Sequence, residues 1–171
     1  MKIERGKAVA FSGHRTFKMA QADGDLFSAA KDYGPDEIAA KVRRMVAGLY
    51  AEGYTQYLCG MAEGFDLIAG RVLLSMRGEC PGLEIVAAVP YPGQPGAYGG
   101  DDRELYSEIL AAAAGVVTLC DRYSADCFYR RNDFLVENSS VLVAFFNGSR
   151  GGTEYTVKRA LRAGCRIINL Y

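Results

Sequence analysis

The chain has 171 residues, of which 50% are hydrophobic and 23% are charged. This length predicts one domain, and the composition excludes an intrinsically disordered chain, which would be poorer in apolar residues. Twenty basic residues balance twenty acidic ones, which argues against a groove that tracks a nucleic-acid backbone. We find no apolar run of about 20 residues and no secretory signal at residues 1–12, so we expect a cytoplasmic protein with no membrane partner.

The cysteines argue against a metal site. There are five, without a C-x-x-C spacing, and His14 is the only histidine. A zinc site needs three or four ligands of these types, so we expect no metal and no required cofactor. Buried or idle thiols in a reducing cytoplasm explain the five cysteines better than a redox role does.

Short apolar runs and helical patterns alternate along the whole chain. Five helices are predicted: one from Pro35 to Gly53, one around 65–76, one around 105–113, one at 127–138 and one at 153–163. The sequence of residues 18–34 predicts a loop that contains a short helix at 23–31. The six predicted strands are Ala8–Ser12, Thr55–Cys59, Leu83–Val89, Val116–Cys120, Val141–Phe146 and Arg166–Leu170.

The alternation predicts the fold class. Strands joined by helices imply right-handed crossovers between parallel strands. Residues 141–146 are apolar throughout, as expected of a parallel strand with both faces covered. We therefore predict an α/β domain with a doubly wound, mainly parallel sheet of about six strands and helices on both faces. Asp101 and Asp102 suit the N-terminus of the third helix, and Gly115 suits the position after its end.

In such a sheet, ligands bind beyond the carboxyl ends of the strands. The segment that follows the fifth strand is the strongest candidate. Gly148, Gly151 and Gly152 allow close backbone approach, Thr153 is placed to cap the fifth helix, and a helix N-terminus attracts phosphate. An ordinary strand-to-helix turn has the same composition, so this segment alone leaves both interpretations open.

The loop after the second strand offers another close approach, through Gly60 and Gly64. The carboxylates of Glu63 and Asp66 could accept hydrogen bonds from ribose hydroxyls. They could equally be acidic residues at a helix N-terminus with no ligand.

Other candidates follow the first and third strands and lie on the fourth helix. His14 and Arg15 follow Gly13, and Arg15 is the better anion ligand of the two. Arg130 and Arg131 point about 100° apart on a helix, so one can reach a ligand while its neighbour is solvated. Tyr91 is the tyrosine that we single out for stacking on a base.

These motifs, in this order, resemble the SLOG superfamily of Rossmann-like domains and, within it, the YpsA-like branch. The resemblance spans residues 8–170. It implies a Rossmann-like fold and a pocket for a nucleotide-derived ligand, such as a nucleoside phosphate or ADP-ribose. The matching segments are Ser12–Arg15, Gly60–Asp66, Arg131-Asn132 through Ser139-Ser140, and Gly151–Thr156.

The LOG-type phosphoribohydrolases of this superfamily imply an alternative function, the cleavage of an N-glycosidic bond. Their P-G-G-x-G-T-x-x-E motif is matched by Gly152 and Thr153, and their helical arginine by Arg131. The glutamate position is Thr156 here, and Glu154 lies two residues earlier, about 200° away on a helix. Hydrolysis would then need a carboxylate from elsewhere, for which Glu63 and Asp66 are the candidates beside Glu154.

The DNA-processing relatives imply a third function, single-stranded DNA binding, against which the balanced charge argues. We favour binding or sensing of a small nucleotide-derived ligand, without catalysis, and the relatives imply a homodimer. The predicted ligand-binding residues are Gly13, His14, Arg15, Gly60, Glu63, Gly64, Asp66, Tyr91, Arg131, Asn132, Gly148, Gly151, Gly152, Thr153 and Glu154.

Overall fold

The computed structural model describes residues 1–15 and 34–171, so the short helix predicted at 23–31 lies outside the described residues. The helices are α1 (Pro35–Ala51), α2 (Phe65–Met76), α3 (Gly100–Ala112), α4 (Cys127–Glu137) and α5 (Gly152–Arg162). The strands are β1 (Ala8–Gly13), β2 (Gln56–Cys59), β3 (Glu84–Val89), β4 (Gly115–Thr118), β5 (Val141–Phe145) and β6 (Arg166–Asn169).

The six strands form one parallel sheet in the order β4-β3-β2-β1-β5-β6. The predicted α/β class and parallel sheet are confirmed. The order reverses at β1, which pairs with β2 on one side and with β5 on the other. The β1–β5 ladder runs in register from Val9 opposite Val141 to Gly13 opposite Phe145. Both strands therefore end together, at the point where the chain switches direction across the sheet.

The sheet separates two hydrophobic layers because alternate strand residues face opposite sides. One layer combines large strand side chains, such as Phe11 and Tyr57, with the apolar faces of α1, α2 and α3. The other combines small strand side chains, such as Ala8 and Ala10, with α4 and α5. Residues 141–145 are all buried, as predicted for a strand covered on both faces.

Two local predictions are wrong. Gly115 does not follow α3 as a left-handed cap, because α3 leaves the helical conformation at Ala113 in an extended geometry. Gly115 instead begins β4 opposite Val86, where an added Cβ would lie 2.6 Å from Met1 Cε. Thr153 does not cap α5, because the helix already begins at Gly152 and its N-cap is Gly151.

Among residues 1–15 and 34–171, no helix is both long and apolar enough to cross a bilayer.

Candidate functional site

A crevice of about 250 Å³ opens at the carboxyl ends of β1 and β5. Ligands of open α/β sheets bind at such a reversal of strand order, because the helices on its two sides leave toward opposite faces and separate there. Its wall combines the end of β1, the loop before α2, one face of α4 and the start of α5. The lining residues are Phe11, Ser12, Gly13, His14, Arg15, Ala62, Asp66, Phe128, Arg131, Asn132, Leu135, Gly152 and Thr153.

The end of β1 supplies a histidine that is held as an acceptor. Burial lowers the pKa of His14, against the opposing effect of a hydrogen bond with the side chain of Asn147. Separately, His14 Nε2 accepts a hydrogen bond from the backbone N–H of Asn147 at 3.2 Å. A neutral imidazole that accepts at Nε2 carries its proton on Nδ1. His14 is therefore held at the crevice by both the backbone and the side chain of Asn147.

Arg15 stands at the mouth of the crevice. Its guanidinium carbon lies 4.7 Å from the centre of the Phe128 ring, a distance typical of a cation–π contact. The side chain is exposed, so its charge remains available to an anion. The contact with Phe128 keeps the Arg15 guanidinium next to the crevice.

A buried ion pair forms the floor. Arg131 and Asp66 are only 5% and 4% exposed, and Arg131 Nη1 lies 3.4 Å from Asp66 Oδ2. Arg131 Nη1 also donates to the carbonyl of Gly60, and its Nε donates to Asn132 Oδ1 at 2.8 Å. Within the described part of the chain, Arg131 Nη2 makes no hydrogen bond, which leaves it for a ligand.

Burial shifts the pKa of both charged groups. It raises the pKa of Asp66 to about 6, against the opposing effects of Arg131 and the Ala62 N–H. It lowers the pKa of Arg131, although Asp66 acts against that shift. Among residues 1–15 and 34–171, the buried Asp66 Oδ1 has no hydrogen-bond partner. The crevice floor therefore holds a carboxylate that binds a proton more readily than an ordinary aspartate.

Three predicted glycines in this region have packing roles. A Cβ at Gly60 would lie 2.5 Å from Arg131 Nη1 and 2.6 Å from Asp66 Oδ2. Gly64 has a φ of +80°, and its Cβ would lie 2.3 Å from the carbonyl oxygen of Arg15. Gly13 is similarly enclosed, because its Cβ would meet Phe65 at 2.5 Å. These glycines let β1, α2 and the ion pair approach one another.

The opposite wall is the N-terminus of α5. Its N-cap, Gly151, has a φ of +149° and no side chain that could cap the helix, and the Glu154 carboxylate accepts a hydrogen bond from the Gly151 N–H. The first N–H paired by the helical pattern is that of Tyr155, which bonds to the Gly151 carbonyl at 3.0 Å. The N–H groups of Gly152 and Thr153 are thus left at the end of the helix that lines the crevice. A Cβ at Gly152 would lie 3.8 Å from Asn132 Nδ2.

The structure brings eight of the predicted residues into the crevice lining: Gly13, His14, Arg15, Asp66, Arg131, Asn132, Gly152 and Thr153. Gly60 does not line the crevice, but its carbonyl accepts a hydrogen bond from Arg131 on the crevice floor.

Six predicted residues lie elsewhere. Glu63 and Gly64 line a neighbouring cavity of about 400 Å³. Tyr91 packs edge-on against Tyr123 and Phe128. Gly148 and Gly151 have open space where a Cβ would stand. Glu154 pairs with Lys158 at 2.6 Å on the outer face of α5.

The sequence interpretation missed the apolar part of the wall. Phe128 and Leu135 line the crevice together with Arg131 and Asn132. These four positions are spaced i, i+3, i+4 and i+7, which places them on one face of α4. That spacing was readable from the sequence once Arg131 was chosen.

No group of three or more His, Cys, Asp or Glu side chains among residues 1–15 and 34–171 is placed to hold a metal ion. The crevice instead presents N–H donors, one buried guanidinium and one carboxylate. This donor set suits a ligand that carries both an anionic group and hydroxyl or amide groups.

Comparisons with solved structures agree with the fold. DNA processing protein A (DprA) from Streptococcus pneumoniae superposes with a TM-score of 0.64 at 17% identity, covering 96% of this chain and 50% of that protein. DprA from Helicobacter pylori, solved to describe its single-stranded DNA binding mode, gives a TM-score of 0.60 at 17% identity. That match covers 95% of this chain and 64% of that protein. The chain thus spans about half to two thirds of these DprA chains.

Sequence comparisons identify the family. UPF0398 proteins from Bacillus thuringiensis (strain Al Hakam) and Bacillus cereus (strain AH187) are each 26% identical over 161 residues. Each alignment covers 92% of this chain and 84% of the relative. The model of the YspA SLOG family, YpsA, matches residues 9–166. The protein therefore belongs to the YpsA SLOG family.

Proposed function

We propose that the crevice at the ends of β1 and β5 binds a small nucleotide-derived ligand and that the protein acts as a binding or sensing domain. One observation carries the proposal: the uncapped N-terminus of α5 lines the same crevice as the buried side chains of Arg131 and Asn132. Free N–H groups at a helix N-terminus favour a phosphate. Arg131 Nη2 and Asn132 Nδ2 supply further donors beside it.

The size of the crevice narrows the ligand class. Its volume of about 250 Å³ lies just below the roughly 300–1,000 Å³ of common ligand pockets. We infer a mononucleotide, or one nucleotide half of a larger molecule such as ADP-ribose. Its phosphate would lie at Gly152 and Thr153, and its base would leave the crevice beside Phe128 and Arg15.

The test is a binding panel with a matched pair of charge variants. Wild-type protein is titrated calorimetrically with nucleoside monophosphates, ADP-ribose, NAD and inorganic phosphate. Gly152→Asp places a carboxylate at the proposed phosphate position, where the backbone has room for a Cβ. Ser149→Asp adds the same charge to an exposed residue of the same loop outside the crevice lining.

We expect Gly152→Asp to weaken binding at least tenfold, about 1.4 kcal/mol, and Ser149→Asp to change it by less than threefold. The Gly152→Asp substitution should slightly stabilise helix α5, because an acidic side chain interacts favourably with a helix N-terminus. Equal weakening by both variants would exclude a phosphate at α5. Lack of binding by every member of the panel would exclude the proposed ligand class.

Single-stranded DNA is a second candidate, favoured by the similarity to Helicobacter pylori DprA, which binds it. Tyr123 is 63% exposed and contacts Phe128, so aromatic rings for base stacking extend outward from the crevice. Fluorescence anisotropy with a labelled oligonucleotide tests this candidate. Submicromolar binding that Gly152→Asp weakens would assign the crevice to a nucleotide within a strand.

N-glycosidic cleavage stays a prediction with altered candidates. Thr156 is fully buried and donates to the Gly152 carbonyl at 2.8 Å, and Glu154 is paired with Lys158 outside the crevice lining. Asp66 is the carboxylate within the crevice. Chromatography of each ligand after incubation detects a released base. A homodimer, a cytoplasmic location and independence from a cofactor also stay predictions.

A further inference from the structure

Two of the five free cysteines lie side by side. Cys120 follows β4, and Cys127 is the first residue of α4. The connecting residues fold back so that the hydroxyl of Ser124 lies between the two sulfur atoms, 3.0 Å from Cys127 Sγ and 4.0 Å from Cys120 Sγ. Cys120 is partly exposed, whereas Cys127 is fully buried. A reagent from solvent would therefore meet Cys120 first, with Cys127 directly behind it.

Ser124 bridges the pair. Its backbone N–H donates to Cys127 Sγ at 3.0 Å, and its hydroxyl lies 3.0 Å from the same sulfur. The hydroxyl is also 4.0 Å from Cys120 Sγ. One serine thus contacts both sulfur atoms.

The other cysteines have different surroundings. The Cys59 thiol donates to the Asp66 carbonyl at 3.2 Å. The Cys165 thiol contacts the carbonyls of Val136 and Ser139. Cys80 is buried in the layer beneath α1 and α2. Among the described cysteines, Cys120 and Cys127 are the two whose sulfur atoms contact the same hydroxyl group, that of Ser124.

The surroundings divide the roles of the two thiols. Burial opposes ionisation of Cys127, but the hydrogen bonds from Ser124 and Cys120 outweigh it, so the pKa of Cys127 is lowered. The hydrogen bond to Cys127 raises the pKa of Cys120. Cys127 also occupies the start of α4, where the helix dipole favours a thiolate. The buried sulfur is therefore the better anion, and the exposed sulfur is the accessible one.

We propose that Cys120 and Cys127 form a redox-active dithiol that hydrogen peroxide converts into a reversible intramolecular disulfide. The accessible Cys120 thiol loses its proton and its sulfur attacks one peroxide oxygen, the O–O bond breaks, and a sulfenic acid and one water form as the leaving hydroxide takes up a proton. The Cys127 thiolate then attacks the Cys120 sulfur, the S–S bond forms, and the hydroxyl group leaves as a second water. Two thiols are oxidised by two electrons, and the peroxide is reduced.

Mass spectrometry of tryptic peptides detects the disulfide. Native protein is treated with hydrogen peroxide, the remaining thiols are alkylated, and trypsin is added without a reductant. Cleavage after Arg122 separates the two cysteines into the peptides Glu104–Arg122 and Tyr123–Arg130. We expect these peptides to appear covalently linked and the intact mass to fall by about 2 Da, the two thiol hydrogens. Dithiothreitol should restore both separate peptides.

Three variants make the result specific. Cys80→Ser, which removes a buried cysteine elsewhere, should form the linked peptides as wild type does. Cys127→Ser should stop Cys120 at the sulfenic acid or a higher oxide, and Cys120→Ser should leave Cys127 unmodified. Circular dichroism confirms that each variant is folded. Wild-type protein that keeps five alkylated thiols, or accumulates oxidised Cys120 without the linked peptides, would overturn the proposal.

Discussion

The contact between Asp66 and Arg131 illustrates how one buried pair organises the crevice floor. Both side chains leave water, which costs several kcal/mol per ion before attraction repays it. Part of the arginine's hydrogen-bonding capacity is used inside the protein, on Asp66, Gly60 and Asn132. Arg131 therefore acts first as an anchor between α4 and the loop before α2. The N–H groups of Arg131 that these contacts do not use would donate to the ligand.

A pH prediction follows from Asp66. Its pKa in the folded protein is raised to about 6 from 3.8, so the folded state binds a proton that the unfolded state releases at lower pH. This group therefore stabilises the fold below about pH 4 relative to pH 6 and above, and its contribution is lost as the pH rises through that window. Urea unfolding of wild type and Asp66→Asn between pH 4 and 7 measures the difference.

We expect the wild-type free energy of unfolding to fall more steeply with rising pH than that of Asp66→Asn. Glu63→Gln removes a neighbouring carboxylate and should keep the wild-type slope. Parallel curves for wild type and Asp66→Asn would show that the carboxyl does not titrate in this range.

At this scale the sequence predicts residue types better than their contacts. The motif containing Gly60 and Asp66 was recognisable, and the 100° rule correctly gave Arg130 and Arg131 different environments without indicating which of them is buried. The reason for a glycine at 60, however, is a guanidinium 71 residues away along the chain. No local pattern contains that information, because the contact depends on how α4 packs against the sheet.

The starts of helices decide the shape of the crevice at the level of elements. Both α2 and α5 begin after a glycine with positive φ, Gly64 at +80° and Gly151 at +149°. Neither helix has a side-chain cap. Each strand can therefore turn sharply into its helix, and the first N–H groups of α5 remain free of an internal acceptor.

Gly64→Ala tests this turn. A non-glycine residue in a left-handed conformation costs about 1–2 kcal/mol, and the new methyl group would also collide with the Arg15 carbonyl. We expect a loss of at least about 2 kcal/mol in the free energy of unfolding, measured in urea. Gly78→Ala, at a position with open space after α2, should lose almost nothing. Equal losses at both positions would contradict the proposed constraint.

All six strands and five helices were predictable from the alternation of patterns, most of their ends to within one or two residues. The errors have local causes. Thr153 has the right residue type for a cap, but Gly151 occupies that position and Thr153 lies one residue inside the helix. Gly115 was assigned to the end of α3, whereas its small size serves the contact with Met1 at the start of β4.

At the scale of the whole molecule, the described residues form two layers on either side of one sheet, and the crevice lies where both layers reach the same edge. Asp66 belongs to α2 in one layer, whereas Arg131 and Thr153 belong to α4 and α5 in the other. The strand order that creates this meeting point could not be read from the sequence, because strand pairing is non-local. Only the general rule that ligands bind beyond the carboxyl ends pointed there.

Hydrogen exchange tests whether a ligand bridges the layers. With a saturating nucleotide from the binding panel, we expect slower amide exchange in 60–66 and in 152–156, one segment from each layer. Residues 41–51 of α1 lie away from the crevice lining and should be unchanged. Protection confined to one layer would place the ligand outside the switch point.

The outer strands of the sheet are short. β4 and β6 have four residues each, as does the inner β2, whereas the inner β1 and β3 have six. Another chain can add a strand to an unpaired sheet edge. A short edge strand offers few hydrogen bonds to such an added strand. Val116 on β4 is half exposed. It is an apolar side chain that a strand added to the β4 edge would contact. Val116→Lys should therefore make this edge less able to accept a strand from another chain, measured as less light scattering on heating, while leaving the crevice unchanged.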